Sequence, residues 1–462
     1  RFPPVPELAS QPNLPDPLLM LDGRRVTSRE QWFNQRRPEL IALFQRVPEL
    51  HGPDSTTTWS SLTSAPKLQE WYPQMFSIGQ DSVFAAGPGL NSYILNTATP
   101  DWSDFPASSG TTFKGGAAVM YRPWKIMKAG SRDTEQGSAH GATASIDLKA
   151  PSTTWKSSIN SMIGRVNHNL VILPNGSVLA VGGTGTINNP AGLDSICRPE
   201  IWDPTVVRND SVGRWGGNDT LALDIIRRDY HSTAVLLPDG RVLCGGGNAD
   251  SVSRTKLNVF CPPYLFSGDN LATRPIITSA PERVKYGERF AICMPANTSS
   301  ANIALVRPGA TTHGFDMNQR YIPLTKVASE AQGSRVTVDW LANGAIAPPG
   351  DYLLFVLNSA GVPSVGRWMR IGSWWDQADN VAPDIVRNVE VVQITSSQVG
   401  IRATAPGDHD TTGHAAQYEV RHSTSEIDDS NFESAPHDTV APPGCPGTTQ
   451  IITVTGLTPC TP

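Results

Sequence analysis

Four segments of one layout constrain this chain more than any other feature. Each holds an apolar run, a short turn, a second apolar run ending in small residues, and a third run; in the first three a tryptophan follows. The runs are 75–78, 83–87 and 93–95 with Trp102; 117–121, 126–130 and 144–148 with Trp155; 170–173, 178–183 and 200–202 with Trp215; and 232–237, 242–246 and 257–260. The turns Pro174-Asn175-Gly176 and Pro238-Asp239-Gly240 are hairpin signals, because Asn-Gly and Asp-Gly tolerate the positive φ that a tight reversal needs. The pattern predicts four antiparallel meanders. The competing reading, chance repetition inside a sandwich, leaves the regular glycines unexplained.

Those glycines close the second run of each unit at Gly87, Gly130, Gly182 and Gly245, in steps of 43, 52 and 63 residues. The steps bracket the period of about 50 expected of kelch repeats. A strand end without a Cβ lets neighbouring blades converge on a central channel. Residues 55–268 are therefore expected to form part of a kelch β-propeller. The 40 glycines, 39 prolines and 17% charged residues suit short strands and tight turns, so the fold class expected is all-β.

A length of 462 residues suggests about three domains. Residues 269–374 read as an immunoglobulin-like sandwich, with strands near 289–293, 303–307, 321–324, 335–340, 352–357 and 368–371. After a polar linker at 376–382, residues 383–462 place strands at 389–395, 398–405, 417–422 and 450–455, like an incomplete fibronectin type III module. Residues 1–54 differ: 29–45 is the one convincing helix, capped by Ser28, with Trp32, Leu40, Ile41 and Phe44 apolar and a kink at Pro38. That segment resembles the leader of glucuronoyl and acetyl xylan esterases. No G-x-S-x-G elbow occurs anywhere, so esterase chemistry is not expected. The join near 47–54 reads as domain shuffling or an assembled sequence.

A net charge of −5 without a basic block argues against a nucleic-acid partner. No apolar stretch nears the about 18 residues of a membrane span. The sequons at Asn175, Asn209, Asn218 and Asn297 fit a secreted protein, and the opening Arg1-Phe2-Pro3-Pro4 reads as a mature or excised piece. The six cysteines lack metal-site spacing; their even number permits disulfides without requiring them.

Two polar segments could carry chemistry: Arg228-Asp229-Tyr230-His231-Ser232, leading into the fourth unit, and the stretch from Thr311 through His313 to Arg320 in the sandwich. Each alone reads as packing or an ordinary loop. Together with Val306-Arg307-Pro308-Gly309 and Tyr321-Ile322-Pro323-Leu324 they resemble the copper-binding stretches of the galactose oxidase and glyoxal oxidase family. The resemblance covers about residues 60–373, with the units matching the last four of seven blades. It implies one copper ion held by Tyr230, His231 and His313, with Tyr230 as the base that takes the alcohol proton. It also implies a substrate that is a small alcohol, aldehyde or carbohydrate, with O₂ reduced to H₂O₂. The family's second tyrosine is cross-linked to a cysteine. No cysteine precedes Cys197, and Tyr72 stands three blades' length before Tyr230, so Tyr72 is expected to be a blade-packing residue. His168 holds a strand-start position analogous to Tyr230-His231 and is expected to face the channel; Asp408-His409-Asp410 reads as a solvated turn. Two classes of function follow. One is an extracellular copper-radical oxidase relative, inactive as it stands. The other is a non-catalytic secreted propeller binding carbohydrate or a surface partner.

Overall fold

The computed structural model describes residues 24–36, 65–67, 69, 72–105, 114–132, 137–185, 195–216, 221–248, 255–298, 300–329, 334–339, 341–372, 385–407, 418–428, 430–438 and 444–457. The chain forms two units, Arg1–Thr63 and Ser64–Pro462. In the first, a turn of α-helix at Arg29–Gln31 runs into a π-turn at Trp32–Arg36. The Gln31 N–H donates to Ser28 Oγ at 3.1 Å, so Ser28 caps the helix as expected. Gln31 Oε1 reaches back to accept the Thr27 N–H at 2.8 Å. Pro38, Leu40, Ile41 and Phe44 lie outside the described residues.

The second unit is almost entirely β. Its first three meanders each have four strands: β1 (Met75–Ser77), β2 (Ser82–Ala85), β3 (Ser92–Asn96) and β4 (Asp101–Phe105); β5 (Ala117–Arg122), β6 (Lys125–Arg132), β7 (Ala139–Asp147) and β8 (Lys156–Ser157); β9 (Asn169–Ile172), β10 (Val178–Val181), β11 (Glu200–Arg208) and β12 (Ser211–Gly216). The fourth has β13 (Ser232–Leu236), β14 (Val242–Gly246) and β15 (Asn258–Phe260). The first three strands of each unit fall on the apolar runs, while β4, β8 and β12 are fourth strands that no run marked; Trp102 and Trp215 lie on β4 and β12, and Trp155 just precedes β8. β9 and β10 are buried along their whole length, and so carry no polar alternation.

The repeated tryptophans tie one sheet to the one before. Trp155 Nε1 donates to Ser92 Oγ on β3 at 3.2 Å, and Trp215 Nε1 to Thr143 Oγ1 on β7 at 2.9 Å. Each indole thus fills the space between sheets while its N–H finds a hydroxyl on the preceding third strand. The glycines serve the same junctions. A Cβ on Gly130 (φ +74°) would stand 2.4 Å from Arg165 O, and one on Gly182 (φ +71°) 2.4 Å from Arg228 O. No side chain fits there, which is why the strands can converge. In the fourth unit the left-handed glycine is Gly246, one residue beyond the Gly245 that the spacing selects.

A second repeated device is an arginine just ahead of a first strand. Arg165 donates to Gly182 O at 3.1 Å and Arg198 O at 3.0 Å; Arg228 donates to Gly246 O at 2.9 Å and Lys256 O at 2.8 Å. Each guanidinium clamps the second strand's terminal glycine to the chain approaching the third. Arg165 is also ion-paired with Glu200, and both are fully buried.

After the hairpin β16 (Phe266–Ser267) and β17 (Asn270–Leu271) come β18 (Arg283–Val284), β19 (Phe290–Cys293), β20 (Asn302–Arg307), β21 (Arg320–Pro323), β22 (Lys326–Ser329), β23 (Arg335–Val338), β24 (Gly350–Leu357) and β25 (Arg367–Ile371). One sheet, β19-β23-β22, packs over the other through Ile292, Leu305, Val336, Leu354 and Ile371. The other sheet does not end with itself. Arg320 of β21 pairs in parallel with Met120 of β5, giving nine continuous strands ordered β18-β25-β24-β20-β21-β5-β6-β7-β8. Val306, Tyr321 and Phe355 share a core with Val171, Leu179 and Trp202. This join holds the chain between β20 and β21 against the meanders. Further on, β26 (Arg387–Ile394), β27 (Val399–Thr404) and β30 (Thr449–Val454) form one sheet, and β28 (Val420–Arg421) and β29 (His437–Asp438) another. A disulfide between Cys293 and Cys445 fastens this region to β19, while Cys197, Cys244 and Cys261 are free.

Candidate metal centre

Tyr230 and His231 sit immediately before β13, and His313 lies on the 308–319 loop that joins β20 to β21. The loop can descend to them because Gly314 (φ +69°) lies on the backbone of the β9 approach; a Cβ there would stand 2.5 Å from His168 O. Deeper in the same loop, Asp316 braces the turn by accepting the Ala310 N–H at 2.9 Å and the Asn318 N–H at 3.1 Å. The outcome is a pair of imidazoles, His231 Nε2 and His313 Nε2, 2.9 Å apart across 82 residues of sequence. The Tyr230 ring lies 4.0 Å from His231 and 5.2 Å from His313. The three residues singled out from sequence are thus one cluster.

Tyr72 belongs to it as well, and the expectation that it packs a blade is wrong. It is 42% exposed, its ring stacks on His313 at 5.0 Å, and its hydroxyl lies 3.1 Å from that of Tyr230. Counting blades along the chain measured sequence distance, whereas the fold brings segments distant in sequence side by side. Backbone conformation marks the same group. Among the described residues, the non-glycine positions at positive φ include four asparagines, which tolerate it; the others are Trp124, Tyr72 (φ 57°), His231 (φ 64°) and His313 (φ 57°). Three of those four meet here. Each costs on the order of 1–3 kcal/mol that the surrounding bonds must offset, a pattern concentrated at functional sites.

The bonds behind the imidazoles set their tautomers. His231 Nδ1–H donates to Asn248 Oδ1 at 2.8 Å, which leaves Nε2 with a lone pair. His313 Nε2–H then donates to it, and His313 Nδ1 accepts from the Thr312 hydroxyl at 2.7 Å. Burial, and then the neighbouring His231, hold the pKa of His313 below the usual histidine value, consistent with a neutral ring. The hydrogen bond with the Tyr230 hydroxyl, followed by burial, raises that of Tyr72. Asn248 acts twice, since its backbone N–H also donates to Tyr230 O at 2.9 Å. Neither Asn248 nor Thr312 stands out in the sequence; the signal for Asn248 is its place just after the Gly245-Gly246-Gly247 run.

This donor set fits copper. Two imidazole nitrogens bound at about 2.0 Å and at right angles to each other lie about 2.8 Å apart, close to the observed separation. His231 Nδ1–H already has an outer acceptor of the kind that orients metal-bound histidines, and with a metal at His313 Nε2 the proton would sit on Nδ1, where the Thr312 hydroxyl can accept it. Two imidazoles with phenol oxygens suit a tetragonal Cu(II) field. Among the described residues, no group of three or more His, Cys, Asp or Glu side chains gathers as an alternative metal site.

His168 does not join the cluster. It is wholly buried, with neither ring nitrogen hydrogen-bonded, and its ring lies where a Cβ on Gly130 would stand 2.6 Å from Cε1. Burial, reinforced by Arg165, pushes its pKa down to about 3. Asp408, His409 and Asp410 lie outside the described residues.

Comparison with known proteins points to one family. Residues 123–263 match the family model of the glyoxal oxidase N-terminus, and residues 274–371 that of the galactose oxidase-like Early set domain. A galactose oxidase of Gibberella zeae is 32% identical over 384 residues, covering 76% of this chain and 53% of that protein. The aldehyde oxidase GLOX of Vitis pseudoreticulata is 33% identical over 248 residues, covering 50% of this chain and 46% of that protein. The chain therefore spans about half the length of these relatives. Among solved structures, a fungal alcohol oxidase of the AA5 family in complex with copper superposes with a TM-score of 0.59 at 26% identity, covering 66% of this chain and 65% of that one.

Proposed function

Because this chain is a relative of the galactose and glyoxal oxidases, we propose that Tyr230, His231 and His313 hold one copper ion in an extracellular protein of copper-radical oxidase ancestry. The observation that carries the reading is the 2.9 Å approach of two Nε2 atoms from separate segments, each imidazole held from behind. Tyr72 stands beside them as a fourth side chain of the site. A bound copper ion supplies a one-electron couple and a position for a substrate oxygen.

The protein's own residues do the rest. In the reaction of the family, RCH₂OH + O₂ → RCHO + H₂O₂, the hydroxyl proton goes to a phenolate base, and Tyr230 Oη is the candidate. Tyr72, whose phenol is held protonated by its bond with Tyr230, donates to that oxygen and steadies it. The half-exposed cluster leaves an open side for a small alcohol or aldehyde. We further propose that the chain as it stands does not turn over such substrates. No cysteine precedes Cys197 to modify Tyr72, and Cys293 and Cys445 are joined to each other.

Copper titration followed by calorimetry tests the site: one ion per chain is expected, with His313→Ala weakening binding at least tenfold. Unchanged affinity in that variant would rule out the assignment. A peroxide-coupled assay on galactose, glyoxal and simple alcohols should read background with copper present. Copper-dependent peroxide would overturn the inactivity.

A further inference from the structure

Beside the metal centre lies a cavity of about 510 Å³ bounded by β1, the 308–319 loop and Pro348-Pro349. Two arginines line it. Arg320 is 4% exposed; its Nη1 donates to Met317 O and Gln319 O, both at 2.8 Å, and its Nε is buried without a partner. Arg307 Nη1 donates to Pro348 O at 3.2 Å. Among the described residues, neither guanidinium is ion-paired; their partners are carbonyls and the rings of Tyr352 and Phe76. Burial holds the pKa of Arg320 down to about 10, and the Arg307 charge adds to that depression.

Two uncompensated guanidiniums facing one cavity are unfavourable unless an anion relieves them. The one carboxylate nearby, Asp316, is engaged by its own loop through the Ala310 and Asn318 N–H groups and the Thr311 hydroxyl. Counting Asp316 leaves the cavity a single net positive charge, which favours a monoanion over a phosphate dianion. Phe315, Met317, Pro348 and Pro349 give the wall an apolar stretch beside the hydroxyls of Ser77 and Thr312 and the amide of Asn318.

We propose that this cavity is a binding site for a small carboxylate with an apolar or ring-like tail. The guanidinium of Arg320 supplies the buried fork and Arg307 the outer one, a geometry matched to a planar carboxylate. The site requires no metal. It adjoins the metal centre through Thr312, which lines the cavity and also bonds His313 Nδ1 at 2.7 Å.

Metal-free protein titrated with benzoate tests this, with benzyl alcohol as the neutral isostere and inorganic phosphate as the competing anion. Benzoate should bind saturably at one site and shift the His313 imidazole resonances, with benzyl alcohol and phosphate each at least about tenfold weaker. Arg307→Gln should weaken benzoate at least about tenfold with unchanged circular dichroism, and Arg307→Lys should recover part of the loss. No saturable benzoate binding, equal binding of the neutral isostere or of phosphate, or an unaffected Arg307→Gln variant each overturns the proposal. The wild-type comparison of three probes decides it even if a variant fails to fold. Copper affinity is not read, so failure here is distinct from failure of the metal assignment.

Discussion

Asn248 offers the sharpest test of how the proposed metal centre is held. Replacing it with alanine removes the acceptor of the His231 Nδ1–H bond, 2.8 Å long, and keeps the backbone bond from residue 248 to Tyr230 O. The His231 ring then loses the contact that selects its tautomer, at a left-handed backbone position (φ 64°) that already costs free energy. A neutral hydrogen bond is worth about 0.5–1.5 kcal/mol net, or about 2- to 13-fold in affinity. Outer partners of metal-bound histidines are worth about 10- to 100-fold. Asn248 is half-buried, so the overlap of the two ranges, about tenfold weaker copper binding, is the expected result. Asn248→Asp should bind copper at least as well as the parent, because a carboxylate acceptor makes the imidazole more basic. The assay is Cu(II) competition against a chelator of known affinity. Affinity of Asn248→Ala within twofold of the parent, or Asn248→Asp weaker than Asn248→Ala, would refute the reasoning.

Two predictions concern the scaffold. His168 has a folded pKa of about 3 against about 6.5 unfolded, so the unfolded chain binds the extra proton between those values and stability falls as pH drops from about 6.5 towards 3. His168→Leu should flatten that acid limb in urea titrations, and an unchanged pH profile would contradict the assignment. Trp215→Phe removes the indole N–H that donates to Thr143 and opens a gap between two sheets; a loss of about 1–3 kcal/mol is expected by urea denaturation, and a loss below about 0.5 would show that the tie carries no load.

Much of the fold was legible because it is local. Hairpin turns such as Pro238-Asp239-Gly240, short apolar runs and strand-end glycines state their own conformations, and the first three strands of each meander fall where those runs stand. The tryptophans were visible as repeats, but their partners were not: whether Trp215 meets Thr143 depends on how one sheet leans on another. The parallel pairing of β21 with β5 left no mark in the sequence, since one bridge between Arg320 and Met120 needs no special residue type.

The sequence by itself determined the β-class of the chain and its repeat, and its family resemblance singled out three side chains that the structure gathers into one cluster: Tyr230, His231 and His313. The fold class and repeat follow from residue type and spacing, the three side chains from the resemblance alone. Only the tertiary structure decided that Tyr72 joins them, that Asn248 and Thr312 stand behind the imidazoles, and that His168 is buried away from them. The physical reason is that packing of one sheet against another makes neighbours of residues 158 positions apart, as Tyr72 and Tyr230 are, and distance along a chain carries no record of that packing.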